Sequence, residues 1–337
     1  MPQKVEKQYK EIMDRYVNSQ SEKDLYAGQK FSRQFIEEEI SPEEVIGIHK
    51  LALKEIYSDA PDKLWHSFDF LIEMMIHYGL ALQEHQSLIR KQEEIDVEMK
   101  LASQVQNTLL KTKLPDFPGL DIGFLTIPAK RMSGDYVYFV SDDENYASVA
   151  VADVIGKGIP AALCMSMIKF GMDRMKKEQS NPAAVLDVVN RIVGDNVADS
   201  MFISMFYGKY DPMTSIFSYA SAGHEPALLF KAKEGEFLEL DAKGLLLGVQ
   251  STVNYEERSI VLEKGDFIVM MTDGVTETRT DEGFIEDDLI KKIIESIKDE
   301  RAQVIVDTVY NRLAELQNFQ LHDDFTIVIF KKDDDYV

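Results

Sequence analysis

Two folds in series are predicted: an all-α amino-terminal helical bundle, then an α+β domain whose antiparallel sheets pack as a β-sandwich flanked by helices. Breakers divide the chain. Only Gly28, Gly47 and Gly79 of its 18 glycines precede residue 119, and only Pro2, Pro42 and Pro61 precede Pro115. Such sequence favours helices. After Gly119 the pattern changes to short apolar runs split by Gly and Asp, and these runs cluster instead of alternating strictly with helices. The length of 337 residues suits about two domains.

Val5, Tyr9, Ile12, Met13 and Tyr16 recur at helical spacing, and Leu25, Ala27, Phe31, Phe35 and Ile36 form a looser stripe. Ser41-Pro42-Glu43-Glu44 starts a third helix, with Ser41 as N-cap and Glu44 placed for a capping box; it carries Val45, His49, Ala52, Leu53 and Ile56. A fourth begins near Pro61 and carries Leu64, Phe68, Leu71, Ile72, Met75 and Ile76. From Leu82 to about Leu110 the chain has no Gly or Pro. There Leu88, Gln92, Ile95, Met99, Ala102, Gln106 and Leu109 step by four and three, a short heptad seam for pairing two copies or one helix packed on its own domain. Three segments follow: a helical domain at 1–81, a coiled-coil-like linker at 82–112 and the α+β domain at 113–337.

In the last segment strands are expected at 120–127, 136–140, 147–152, 201–210, 216–220, 227–231, 259–262, 267–271 and 325–330, and helices at 160–176, 182–197, 286–297 and 302–317. Residues 333–335 read as a short solvated acidic tail.

The charges, 37 Lys and Arg against 59 Asp and Glu, sum to −22. That balance opposes binding to nucleic acid or to an anionic membrane surface. No apolar run approaches the roughly 18 residues that span a bilayer, and the first twelve residues lack the apolar core of a secretory signal, so a soluble cytoplasmic protein is expected. The single cysteine, Cys164, excludes an internal disulfide and reads as helix core.

Four aspartates mark strand ends. Asp153 and Asp273 close apolar strands, while Asp135 and Asp323 precede them. In antiparallel neighbours such ends lie side by side, so the four can share one rim. Clustered carboxylates need a cation, and oxygen-only ligation suits a hard divalent ion, with adjacent glycines allowing a carbonyl to join. Any one of these acids is also a plausible turn former. Rival motifs fail: Gly156-Lys157-Gly158 lacks the earlier glycine of a phosphate loop and has Ile159 where Ser or Thr is required. Near Asp273, Met271 occupies the place of the nucleophile in an Asp-x-Asp phosphatase. Only His224 and His322 fall in the second half, too few for a histidine metal site; His224 reads as a loop hydrogen bond or a group near the site, His322 as structural.

Six ordered motifs, at 128–136, 152–162, 222–224, 243–248, 272–277 and 323–326, resemble those of the SpoIIE/RsbU branch of the metal-dependent PPM (type-2C-like) serine/threonine phosphatases. The resemblance covers roughly 120–331, and the helical half looks like the amino-terminal region of the RsbU-type members. It implies two Mn²⁺ or Mg²⁺ ions, with Asp153 bridging both, the Val154 carbonyl on one, Asp273 and Asp323 completing the other, and Asp135 acting through metal-bound water. Those ions would activate a water to attack phosphorus, with no covalent enzyme intermediate. Many relatives carry a further Asp where this chain has Tyr138. The resemblance also implies a homodimer, an RsbT-like activator on the helical domain, and a serine-phosphorylated RsbV-like anti-sigma-factor antagonist as substrate in the sigma-B stress response. A hydrolase of small phosphoesters and a catalytically silent interaction module are the alternatives.

Overall fold

The computed structural model describes residues 2–37, 40–117, 119–142, 145–154, 158–175, 181–196, 201–280, 283–285 and 287–333. Ile155, Gly156 and Lys157 of the Gly-rich loop and the end of the acidic tail lie outside the described residues. The chain forms two compact units, Met1–Val97 and Glu98–Val337.

The first unit contains α1 (Pro2–Ser19), α2 (Glu22–Glu37), α3 (Pro42–Ile56) and most of α4 (Asp62–Leu109). Phe31 and Phe35 are buried, with Tyr9, Ile12, Val45 and Ile48 packed around them. The Ser41–Glu44 capping box forms as its spacing predicts: Glu44 N–H donates to Ser41 Oγ, and Ser41 N–H to Glu44 Oε2 at 3.0 Å. Leu25 and Ile36 of the second stripe are exposed instead of buried. The expected fourth helix and the linker are one 48-residue helix, since Gly79 alone interrupts good helix formers and does not break it. Among the described residues no helix is long and apolar enough to cross a membrane.

The second unit continues through β1 (Leu120–Ile127), β2 (Asp135–Asp142), β3 (Tyr146–Val154), α5 (Ile159–Arg174), α6 (Pro182–Asn196), β4 (Ile203–Asp211), β5 (Ile216–Ala222), β6 (Ala227–Lys231), β7 (Glu236–Leu240), β8 (Arg258–Val261) and β9 (Phe267–Met271). It ends with α7 (Asp273–Thr276), β10 (Arg279–Thr280), β11 (Gly283–Phe284), α8 (Asp287–Ser296), α9 (Ala302–Leu316) and β12 (Phe325–Lys332). Two five-stranded antiparallel sheets, ordered β1-β12-β9-β6-β7 and β2-β3-β4-β5-β8, make the sandwich. Alternation along each strand assigns its faces. In β2, Val137 and Phe139 join the core between the sheets with Phe206, Phe217, Ile268 and Phe330, whereas Tyr136, Tyr138 and Val140 pack with residues of α5 and α6. On the other sheet, Val269, Ile327 and Ile329 meet Ile305, Val306 and Val309 of α9. Each fully buried aliphatic or Phe side chain contributes about 1.5–3 kcal/mol. Cys164 is buried beside α6, and burial pushes its thiol up to about 11.

The strand β7 is not among the predicted ones. Its Glu-Phe-Leu-Glu-Leu sequence carries acids typical of a sheet edge, and it forms by pairing with β6.

Candidate active site

The β2–β3 register sets Asp135 directly opposite Asp153. Directly opposed residues project from the same face about 4.5–5.5 Å apart at Cβ, and like charges there repel. Asp135 is 4% exposed. Burial pushes its carboxyl well above the usual range, and the charges of Asp153 and Asp324 add to the rise. On the other side of β3, Ser204 of β4 is the partner of Asp153. Val154 ends β3, its N–H donating to Gly134 O at 3.3 Å.

The other sheet supplies the second pair. Asp273 follows β9 at the start of α7, and Asp323 lies in the bend before β12; both line one cleft of about 160 Å³. Gly274 makes this approach possible, because a Cβ there would stand 2.0 Å from the Asp324 carbonyl oxygen. Gly274 therefore packs on the 323–324 backbone.

Two residues that sequence reasoning passed over join the pairs. Thr272 Oγ1 donates to Asp135 Oδ2 at 2.7 Å across the sandwich. Asp324, 7% exposed, accepts from Ala129 N–H at 2.7 Å with one oxygen and from Gly134 N–H at 2.6 Å with the other. The signal lies in the Thr272-Asp273 and Asp323-Asp324 dipeptides, of which the motif reading assigns a role only to Asp273 and Asp323.

The four acids thus stand as two pairs, one from each sheet, at one end of the sandwich. Among the described residues no group of three or more His, Cys, Asp or Glu side chains is already arranged to hold a metal ion. The donor set fits a hard divalent cation: every group is an oxygen, and a buried carboxylate facing another needs positive charge or a proton.

His224 lies behind this end of the sandwich. Its Nδ1 is 2.7 Å from Ser204 Oγ, and its own N–H donates to Ser221 Oγ at 3.1 Å. Both readings of His224, loop hydrogen bond and proximity to the site, thus describe it. Burial pushes its imidazole down to about 4. Because the folded value lies below the unfolded one of about 6.5, the unfolded chain binds the extra proton, and stability is lost as pH falls through that window. Between pH 7 and pH 5 this group alone is expected to remove about 2 kcal/mol, so urea midpoints of His224→Asn should fall less over that range than those of the parent. Equal slopes would show that the ring is protonated in the fold.

Tyr138, where many relatives carry an acid, packs in the outer core and donates its hydroxyl to Asp173 of α5. The position serves packing in this chain. The last turns of α4 bond to the loop before Asp135: Ser103 Oγ donates to Arg131 O at 2.6 Å, Gln106 Nε2 to Ser133 O at 2.7 Å, and Ser133 N–H returns to Gln106 Oε1 at 3.3 Å. Gln106, expected on the heptad seam, is 4% exposed and committed to this contact. Leu88 and Ile95 of that seam are exposed.

The sequence profile of the Stage II sporulation protein E (SpoIIE) family matches residues 143–333, and that of the phosphoserine phosphatase RsbU N-terminal domain matches residues 7–81. Phosphoserine phosphatase RsbU of Bacillus subtilis (strain 168) is 50% identical over 328 residues, covering 97% of this chain and 98% of the relative. Among solved structures, the SiaA-PP2C domain of Pseudomonas aeruginosa superposes with a TM-score of 0.61 at 20% identity, covering 72% of this chain and 98% of that one. The PP2C phosphatase domain with a regulatory fragment of SpoIIE from Bacillus subtilis gives 0.57 at 19% identity, covering 64% and 62%. At those identities the two structures speak to the fold alone.

Proposed function

The chain belongs to the RsbU family of phosphoserine phosphatases, a branch of the metal-dependent PPM serine/threonine phosphatases, and from that premise we propose that it dephosphorylates a serine-phosphorylated RsbV-like anti-sigma-factor antagonist, activating a sigma-B-type stress response in the cytoplasm. The observation that carries the catalytic part is the Asp135–Asp153 opposition, tied by Thr272 to the pair at Asp273 and Asp323.

Two Mn²⁺ or Mg²⁺ ions would be held by Asp153, the Val154 carbonyl, Asp273 and Asp323, with Asp135 acting through bound water. When bound, such ions lower the pKa of water and neutralise phosphoryl charge. The chain's own groups do the positioning. Thr272 fixes one oxygen of Asp135. Asp324 fixes the loop that delivers Gly134 and Asp135. Met271, in the place of the Asp-x-Asp nucleophile, leaves that motif without the carboxylate that would form its phospho-enzyme.

Residues 1–81 are assigned to dimerisation and to an RsbT-like activator, 82–112 to a linker and 113–337 to catalysis. Support for the linker comes from the unbroken α4, from exposed Leu88 and Ile95 on its pairing side, and from the Ser103 and Gln106 bonds to the 131–133 loop. An activator can shift activity only by its differential affinity for two arrangements of these contacts.

Phosphate release from a panel of phosphoserine proteins and from a chromogenic small phosphoester, with Mn²⁺ and with a chelator, tests the function. Expected is Mn²⁺-dependent release from a protein substrate, abolished by chelation and stimulated by the activator. Faster turnover of the small ester than of any protein would favour the small-phosphoester hydrolase; no turnover of either would favour the silent module.

A further inference from the structure

The cleft that holds Asp273 and Asp323 also carries groups of the opposite chemistry. Its lining includes Arg279 and Gln317. Gln317 directly follows α9, is 7% exposed, and its Nε2 has no hydrogen-bond partner. A buried donor without an acceptor opposes folding and calls for a partner. Arg279 stands on β10 with its guanidinium carbon 5.1 Å from the ring of Phe284, its cross-strand partner on β11. Stacking occupies the face of the guanidinium and leaves its edge N–H donors available. Among the described residues no hydrogen bond or ion pair engages those donors, although Glu277 lines the same cleft.

Three carboxylates, Asp273, Asp323 and Glu277, and two uncommitted donors, Arg279 and Gln317, thus share one small cleft. A phosphoryl dianion matches that combination, since its oxygens only accept hydrogen bonds and gain most from charged donors.

We propose that Arg279 and Gln317 bind the phosphoryl group of the phosphoserine substrate, Arg279 by charge-assisted hydrogen bonds to non-bridging oxygens and Gln317 by its unpartnered Nε2–H. This rests on the phosphatase reading and deepens it: the chain grips the phosphoryl group itself, so any phosphoester and the product phosphate feel both residues.

The test uses the full chain as wild type, Arg279→Ala, Arg279→Lys and Gln317→Leu. Binding of inorganic phosphate is measured by titration calorimetry, and KM and kcat are measured for a phosphoserine protein and for a chromogenic small phosphoester. Arg279→Ala is expected to weaken phosphate binding and raise KM for both substrates roughly 10- to 100-fold, with Lys restoring part of the loss. Gln317→Leu is expected to raise KM by about fivefold while its melting temperature holds or rises, because it deletes an unsatisfied buried donor. Phosphate affinity within twofold of wild type in Arg279→Ala and Gln317→Leu overturns the proposal. So does a loss confined to the protein substrate, which would assign Arg279 to the polypeptide. If Arg279→Ala melts early, Arg279→Lys decides by the same criteria. A wild-type chain without Mn²⁺-dependent turnover would overturn the phosphatase reading instead, while phosphate binding is still read by calorimetry.

Discussion

Asp153→Asn is expected to lower phosphate release from a phosphoserine protein by about 10³-fold at saturating Mn²⁺, since a catalytic metal supplies several kcal/mol of transition-state stabilisation and each 1.36 kcal/mol is tenfold. The fold should survive, and the metal-free protein should melt at the same temperature or higher. The reason is the register: Asp153 faces the buried Asp135 across the ladder, and a neutral amide there relieves repulsion between like charges. A ligand that binds only the native state raises the melting temperature, so Mn²⁺ should stabilise the parent and fail to stabilise the variant. Melting curves with Mn²⁺ and with chelator, beside the activity assay, check both halves. Near-normal turnover in the variant would remove Asp153 from the site.

The elements and the acids were legible because each is a local signal. Apolar runs such as 267–271 end at an Asp, and the Ser41–Glu44 box is complete within four residues. The pairing of the acids was legible only in part. Antiparallel ends allow the four to share one rim but do not tell which sheet supplies each: two come from each, because β2 and β3 belong to one sheet and β9 and β12 to the other. What periodicity could not provide are contacts made across long separations. Thr272 reaches Asp135 over 137 residues, and Asp324 reaches Gly134 over 190. Gln106 looked like a seam residue because heptad spacing cannot tell a partner helix from a loop of the same chain. Arg279 carries no motif of its own. It gains meaning from Phe284, which holds its ring face, and from Gln317, which shares its cleft.

Adjacent Asp323 and Asp324 should differ in stability and in rescue by Mn²⁺ when each is changed to Asn. Asp324 is buried, and each of its oxygens accepts one backbone N–H, at 2.7 and 2.6 Å. An amide keeps one acceptor and turns a donor toward the other N–H, leaving two buried donors face to face. Each unsatisfied buried group costs about 1–3 kcal/mol, so Asp324→Asn is expected to lose roughly 2–4 kcal/mol of stability in denaturant titrations. The loop of Ala129 to Gly134 would lose its anchor, and Asp135 with it, so activity should fall as well and recover in part as Mn²⁺ is raised. Asp323 is exposed at the cleft, and its Oδ1 accepts Asp324 N–H at 3.0 Å, a bond that an amide oxygen can keep. Asp323→Asn is therefore expected to keep the parental denaturation midpoint and to lose activity that added Mn²⁺ restores only weakly. If both variants unfolded at the parental midpoint, the Asp324 bonds would not be what fixes the loop; if Asp323→Asn alone lost stability, the roles of the two acids would have to be exchanged.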